Sequence, residues 1–199
     1  MSITLPISDL SIIILAGGKS SRMGANKALL KLNSDTFIDR VIKVSKTLTN
    51  KVFISMADES QLINTEIPVV YDVCKNKGPI GGVTSVLPYI KTPWFMVLSV
   101  DSPMISIDSL LHLWYSKSNY EIVLYQVNSQ KHPLLALYKI ETKQKWDDAL
   151  LSNQLKIMEI VNTSKKIIIE ASKKQEISLK NINTIEEYQS LIQIYNHEN

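Results

Sequence analysis

The chain has 199 residues, 45% of them hydrophobic and 21% charged, with a formal net charge of +3. That length suits one domain with a sizeable core, and the composition is too apolar for a disordered chain. The charge suits an anionic small-molecule substrate but is too small and too evenly spread to argue for nucleic acid.

The chain opens MSITLPISDLSIIIL. It has no basic n-region, so it does not read as a secretory leader. No stretch approaches the roughly 18 apolar residues that a transmembrane helix needs. Cytoplasm is the default expectation, without membrane association.

Ser11 to Leu15 is a short β-branched run entering Ala16-Gly17-Gly18, which predicts a buried strand and a glycine-rich turn. Asp35 to Leu48 carries Phe37, Val41, Ile42, Val44 and Leu48 at near-helical spacing, with Ser34 or Asp35 as the expected cap. Lys51 to Met56 and Ile67 to Tyr71 predict two further strands, the latter with Pro68 near its start. The single cysteine, Cys74, can form no intrachain disulfide and no Cys cage, and it reads as structural or incidental.

Pro79 to Ile90 predicts a helix with proline in its first turn. Trp94 to Val100 is a continuous apolar strand ending in Asp101, and Ile107 to Tyr115 an amphipathic helix. Strands and helices thus alternate through about residue 115. The expected fold class is α/β: a Rossmann-like three-layer sandwich with a mostly parallel central sheet.

Residues 116–199 are less regular. Glu121 to Val127, Leu134 to Tyr138 and Ile167 to Glu170 predict strands. Thr142 to Leu151 and Ile185 to Tyr195 predict helices, and the lysine pairs at 165–166 and 173–174 predict solvated loop ends. The expected organisation is a single domain over 1–199, with a nucleotide-binding part in 1–115 and an acceptor-binding part in 116–199.

The strongest chemical signal is LAGGKSSRMGANK, Leu15 to Lys27, directly after the first strand. Gly17, Gly18 and Gly24 let backbone N–H groups approach phosphate oxygens. Lys19, Arg22 and Lys27 add three cations suited to a triphosphate. The motif is neither a P-loop nor G-x-G-x-x-G, which weighs against both of those classes. A soluble surface loop is the plain alternative.

Asp101 ends an apolar strand, where ligands of open α/β sheets gather and where a carboxylate can hold Mg²⁺. The plain alternative is a helix cap. Asp72 ends the third strand and is followed by KNKGPIGG, whose Gly78, Gly81 and Gly82 let a flat base lie against backbone. His112 reads as a surface or packing histidine. His132 could contact an anion, and His197 lies near the end of the chain. No His/Cys cluster has metal spacing and no G-x-S-x-G elbow is present. Asn181 and Asn183, in NINT, could simply cap the last helix.

Taken in order, LAGGKSSRMGANKALL, DVCKNKGPIGG, LSVDSPMI and NINTIEEY resemble the molybdenum cofactor guanylyltransferase family, the proteins called MobA, from Leu15 to Tyr188. The resemblance implies a Rossmann-like enzyme that uses Mg²⁺ and GTP to attach GMP to the terminal phosphate of molybdenum-bound molybdopterin, releasing pyrophosphate. It implies that Leu15, Ala16, Gly17, Gly18, Lys19, Lys27, Ser55, Asp72, Gly78, Gly82 and Asp101 serve the nucleotide. Arg22, Lys27 and Asp101 serve catalysis, with Asp101 also the metal ligand. Lys156, Asn181 and Asn183 fall on the acceptor side. A monomer with transient contact with molybdenum cofactor proteins is the expected assembly.

Asn26, Ser55, Gly81 and Lys156 depart from the family pattern, each keeping a polar or small residue. Preference for GTP over CTP rests on Gly18, where related cytidylyltransferases carry alanine. Three readings stay open beside the first: CTP as donor, another phosphorylated acceptor, or a non-catalytic nucleotide-binding protein.

Overall fold

The structure is a computed structural model and describes residues 5–17, 26–59 and 65–197. Gly18, Lys19, Arg22 and Gly24 lie outside the described residues. Nine strands and seven α-helices are found among those described. The strands are β1 (Leu10–Leu15), β2 (Lys31–Leu32), β3 (Asp35–Thr36), β4 (Val52–Met56), β5 (Val69–Tyr71), β6 (Trp94–Ser99), β7 (Ile122–Val127), β8 (Gln130–Lys139) and β9 (Lys166–Glu170). The helices are α1 (Phe37–Leu48), α2 (Gly78–Val86), α3 (Ile107–Tyr115), α4 (Lys143–Leu151), α5 (Ile157–Asn162), α6 (Lys173–Ser178) and α7 (Ile185–His197).

Seven strands form one sheet in the order β5-β4-β1-β6-β8-β7-β9. All neighbours are parallel except β8, which runs antiparallel to both β6 and β7. The apolar run of β1 is buried at every position because it lies centrally and is covered on both faces. Alternate side chains serve opposite faces. Leu10, Ile12 and Ile14 pack with Val41 and Leu48 of α1 and Leu110 and Leu113 of α3. Ile13 and Leu15 pack with Ile80 and Val83 of α2, Trp146 of α4 and Ile160 of α5. Burying each such side chain fully is worth about 1.5–3 kcal/mol. The layers are therefore helix, sheet, helix, as the alternation of elements implies.

The sheet order fixes where a ligand can go. From β1 the chain moves outward through β4 to β5, then returns to place β6 on the other side of β1. That reversal leaves a crevice outside the carboxyl ends of the strands.

Local chemistry explains where the elements depart from expectation. Neither Ser34 nor Asp35 caps α1. Asp35 lies in a small β2–β3 hairpin, and Thr36 accepts from the Asp39 N–H in a capping box. The helix expected to reach Ile90 stops at Val86 and tightens to a 3₁₀ turn over Leu87–Tyr89, because Pro88 has no N–H to continue it. β8 starts four residues before Leu134. It joins β7 through Asn128 and Ser129, both at positive φ, and Pro133 falls where the β7–β8 register shifts, a position that tolerates proline.

Of the lysines expected at loop ends, Lys165 is exposed in the loop before β9, and the other three lie in structured elements. Lys166 starts β9, and Lys173 and Lys174 open α6, which Ser172 and Gln175 cap reciprocally. Among the described residues no helix is long and apolar enough to cross a membrane.

A third, smaller core joins the end of the chain to its beginning. Leu32 and Phe37 pack with Ile182 and Leu191. The rings of Phe37 and Tyr188 meet edge to face at 5.8 Å, and the Tyr188 hydroxyl donates to the Lys31 carbonyl at 2.6 Å. This contact brings the NINT segment beside the cleft.

Candidate active site

A cavity of about 250 Å³ occupies the crevice at the carboxyl ends of β1, β4, β5 and β6. Each strand contributes to its wall. β1 supplies Leu15 and leads to Ala16 and Gly17, β4 supplies Ser55, β5 leads to Asp72, and β6 supplies Ser99 and leads to Val100 and Asp101. Gly78, Pro79 and Gly82 of α2 close one side, and Asn26 and Lys27 another. The N-terminus of α2 thus faces the cavity with its positive dipole end.

Two glycines are dictated by space. A Cβ on Gly82 would lie 2.6 Å from Ser55 Oγ and 3.0 Å from Leu15 Cδ2. A Cβ on Gly17 would lie 2.5 Å from the Ala57 nitrogen. The first glycine therefore lets α2 seat against Ser55 and Leu15, and the second lets the turn after β1 pass against the β4 backbone.

The Ser55 hydroxyl donates to Asp72 Oδ1 at 3.0 Å and so orients that carboxylate. Burial pushes the Asp72 carboxyl above its ordinary value, and the Ser55 hydrogen bond only partly offsets this. Across the cavity, Lys27 begins a 3₁₀ turn capped by Asn26, whose side chain accepts from the Ala28 N–H. Lys27 Nζ lies 3.4 Å from Asp101 Oδ1 and donates to Asn183 Oδ1 at 2.9 Å.

Asp101 does not cap the following helix. α3 starts six residues later and is capped by Ser106. Asn181 and Asn183 do not cap α7 either, because Thr184 and Glu187 do so reciprocally. Instead, Asn181 Oδ1 accepts from the Ser102 hydroxyl at 2.6 Å, and the Ile182 N–H donates to the Asp101 carbonyl at 2.8 Å.

A second cavity of about 460 Å³ lies against the same segment. Asn181 and Asn183 line it, with Asn128, Gln130, His132, Glu176, Lys180 and Glu187. Burial pushes the His132 imidazole below its ordinary value, favouring its neutral form. His112 is a surface residue, its Nδ1 3.0 Å from the buried Tyr125 hydroxyl and 2.9 Å from Gln175 Nε2.

Of the residues singled out by sequence, Leu15, Ala16, Gly17, Lys27, Ser55, Asp72, Gly78, Gly82 and Asp101 converge on the first cavity. Asn181 and Asn183 border the second. Lys156 is exposed, at the residue preceding α5, and lines neither. Ser102, Glu176 and Lys180 were not singled out. Ser102 directly follows Asp101, which was the available signal, whereas Glu176 and Lys180 arrive through helix packing that no motif announces.

A family model for the MobA-like NTP transferase domain matches residues 12–165. The chain belongs to the MobA-like NTP transferase family. It is 36% identical over 190 residues to a Clostridium perfringens strain 13 protein named "Probable molybdenum cofactor guanylyltransferase", covering 92% of this chain and 96% of the relative. A Bacillus cereus strain AH820 protein of the same name is 33% identical over 189 residues, covering 88% and 92%. The crystal structure of molybdopterin-guanine dinucleotide biosynthesis protein A from Archaeoglobus fulgidus superimposes with a TM-score of 0.81 at 22% identity, covering 94% of this chain and 99% of that one, which shows the shared fold. The chain is accordingly a nucleotidyltransferase.

Proposed function

We propose that the protein transfers GMP from GTP to the terminal phosphate of molybdenum-bound molybdopterin, forming the guanine dinucleotide cofactor and pyrophosphate. The observation that carries this reading is the meeting of Lys27, Asp72 and Asp101 in one cleft, with Lys27 hydrogen-bonded to Asn183 on the wall of a second cavity. The names of the curated relatives support the choice of donor and acceptor.

In this reading the base lies beside Gly78 and Gly82 at the start of α2, with Asp72 accepting from its edge. The phosphates extend toward Lys27 and the start of α2. The acceptor enters from the second cavity, so its phosphate approaches past Asn181 and Asn183. Lys19 and Arg22 are assigned to the phosphates, Gly18 to the base and Lys156 to the acceptor on sequence alone.

Asp101 fits a Mg²⁺ ligand. Its side chain is 30% exposed and turned toward Lys27 at the cavity wall. Among the described residues no group of three or more His, Cys, Asp or Glu could hold a metal by itself. Mg²⁺ is commonly held by one or two carboxylates together with substrate phosphates, which is the mode this donor set permits. Bound there, it would supply charge neutralisation to the phosphate oxygens.

The acceptor phosphomonoester has a second pKa of about 6 and is mostly dianionic at neutral pH. Its oxygen attacks the α-phosphorus in line, the new P–O bond forms, and the bond to pyrophosphate breaks. No side chain need remove a proton. The chain's task is to align two anions and offset their repulsion. Lys27 stabilises charge on the departing pyrophosphate, and Asp72 fixes the base. Turnover measured with each of the four triphosphates tests the donor, with GTP expected to be used and CTP not. Turnover with CTP alone would overturn the base assignment.

A further inference from the structure

Asn183 faces two ways: it lines the second cavity, yet its side-chain oxygen is held by the ammonium of Lys27 in the first. The two residues are 156 positions apart, so the fold brings them together deliberately in space and not by local sequence. We infer that Asn183 is a positioning residue for the nucleotide, acting through Lys27. The inference rests on the reading of Lys27 as a phosphate ligand.

The backbone around Asn183 is fixed on all sides. The Asn183 and Thr184 N–H groups both donate to the Glu187 carboxylate. One residue earlier, Ile182 is buried in the third core and its N–H is tied to the Asp101 carbonyl. One residue before that, Asn181 is tied to Ser102. The segment therefore forms a rail alongside Asp101 and Ser102, from which one side-chain oxygen reaches Lys27.

A lysine has a flexible stem that loses rotamer freedom when held in one place. Here that cost is met before the nucleotide arrives, because the Lys27 side chain is already only 14% exposed and aimed. The chemistry of the partner matters too. A neutral amide oxygen directs the ammonium without cancelling its charge, whereas a second carboxylate beside Asp101 would neutralise it and repel the phosphates. An asparagine suits this task better than an aspartate.

The test is the GTP dissociation constant with Mg²⁺ and no acceptor, measured by calorimetry on the full chain. Leaving out the acceptor removes any contribution from contacts in the second cavity. The cycle comprises the parent, Asn183→Ala, Lys27→Ala and the double variant. Asn183→Ala is expected to weaken GTP binding about three- to tenfold, less than a fully buried charged hydrogen bond would, since Asn183 is exposed. In the Lys27→Ala background the same change should have no further effect.

Unchanged GTP binding in Asn183→Ala, or an equal loss in both backgrounds, overturns the inference. Unchanged binding in Lys27→Ala overturns the reading of Lys27 itself, and the inference with it. The segment's ties to Glu187, Asp101 and Ser102 do not use the Asn183 side chain, so truncating it preserves them. Asn183→Ser, whose hydroxyl is too short to reach Lys27, serves as a second variant, and a melting curve for each confirms folding.

Discussion

Lys27 Nζ stands 3.4 Å from Asp101 Oδ1, joining the 3₁₀ turn before β2 to the turn after β6 across the crevice. β1 and β6 are adjacent and in register, with Leu15 opposite Ser99, so the end of β6 places Asp101 beside the end of β1. The pair is partly exposed, so its own contribution to stability is small. In the proposed function its value is chemical: a cation for phosphate beside a carboxylate for a divalent metal.

Asp101→Ala is therefore expected to lower kcat by about 10²–10³ while the protein stays folded. The fold does not use the carboxylate as a cap, since Ser106 caps α3, and the Ile182 N–H is held by the Asp101 main chain. Steady-state kinetics with a thermal melt on the same sample checks this. A collapsed melt would mean that Asp101 is structural.

Asp72 carries a cost that its replacement should reveal. Burial raises its carboxyl pKa, so the folded state binds that proton more tightly than the unfolded state, whose value is near 3.8. Stability then falls as pH rises through the folded pKa. Asp72→Asn keeps an oxygen for the Ser55 hydroxyl and removes the charge. It is expected to raise Tm at neutral pH while weakening GTP binding, and the gain should vanish below pH 3.8, where both states are protonated. A gain independent of pH would contradict desolvation as its cause.

Gly82→Ala should damage the site through Ser55. The added methyl meets Ser55 Oγ at 2.6 Å and Leu15 Cδ2 at 3.0 Å, so Ser55 must move and release Asp72. Overpacking of this kind costs about 1–3 kcal/mol. Adding Ser55→Ala removes the nearer clash and is expected to recover part of the lost Tm but not the GTP affinity. Chemical denaturation of the single and double variants measures this, and strictly additive losses would count against the contact.

Much of the nucleotide half was legible because its chemistry is local. A continuous apolar run such as Trp94 to Ser99 announces a doubly buried strand, and Gly and Asp at its ends announce the crevice. Ile107 to Tyr115 was read with its observed bounds from its amphipathic pattern, while its cap proved to be Ser106 and not Asp101. The second half was less legible for physical reasons. α5 and α6 have only six residues each, too few to show a period. The β7–β8 turn uses Asn128-Ser129 in place of Asn-Gly, so the hairpin signal is weak. Pro133 hid the first residues of β8 because proline inside a strand argues against it unless a register shift accommodates it. The bond between Lys27 and Asn183 was invisible for another reason: it depends on packing of Ile182 and Tyr188 against Phe37, which no motif encodes.

The central claim is the transfer itself. The most direct measurement follows GMP from labelled GTP, with Mg²⁺, onto molybdopterin supplied with molybdate, and runs CTP in parallel. The predicted result is a labelled guanine dinucleotide product and equimolar pyrophosphate from GTP, and none from CTP. Nucleotide binding with no transfer to this acceptor from GTP would contradict the account.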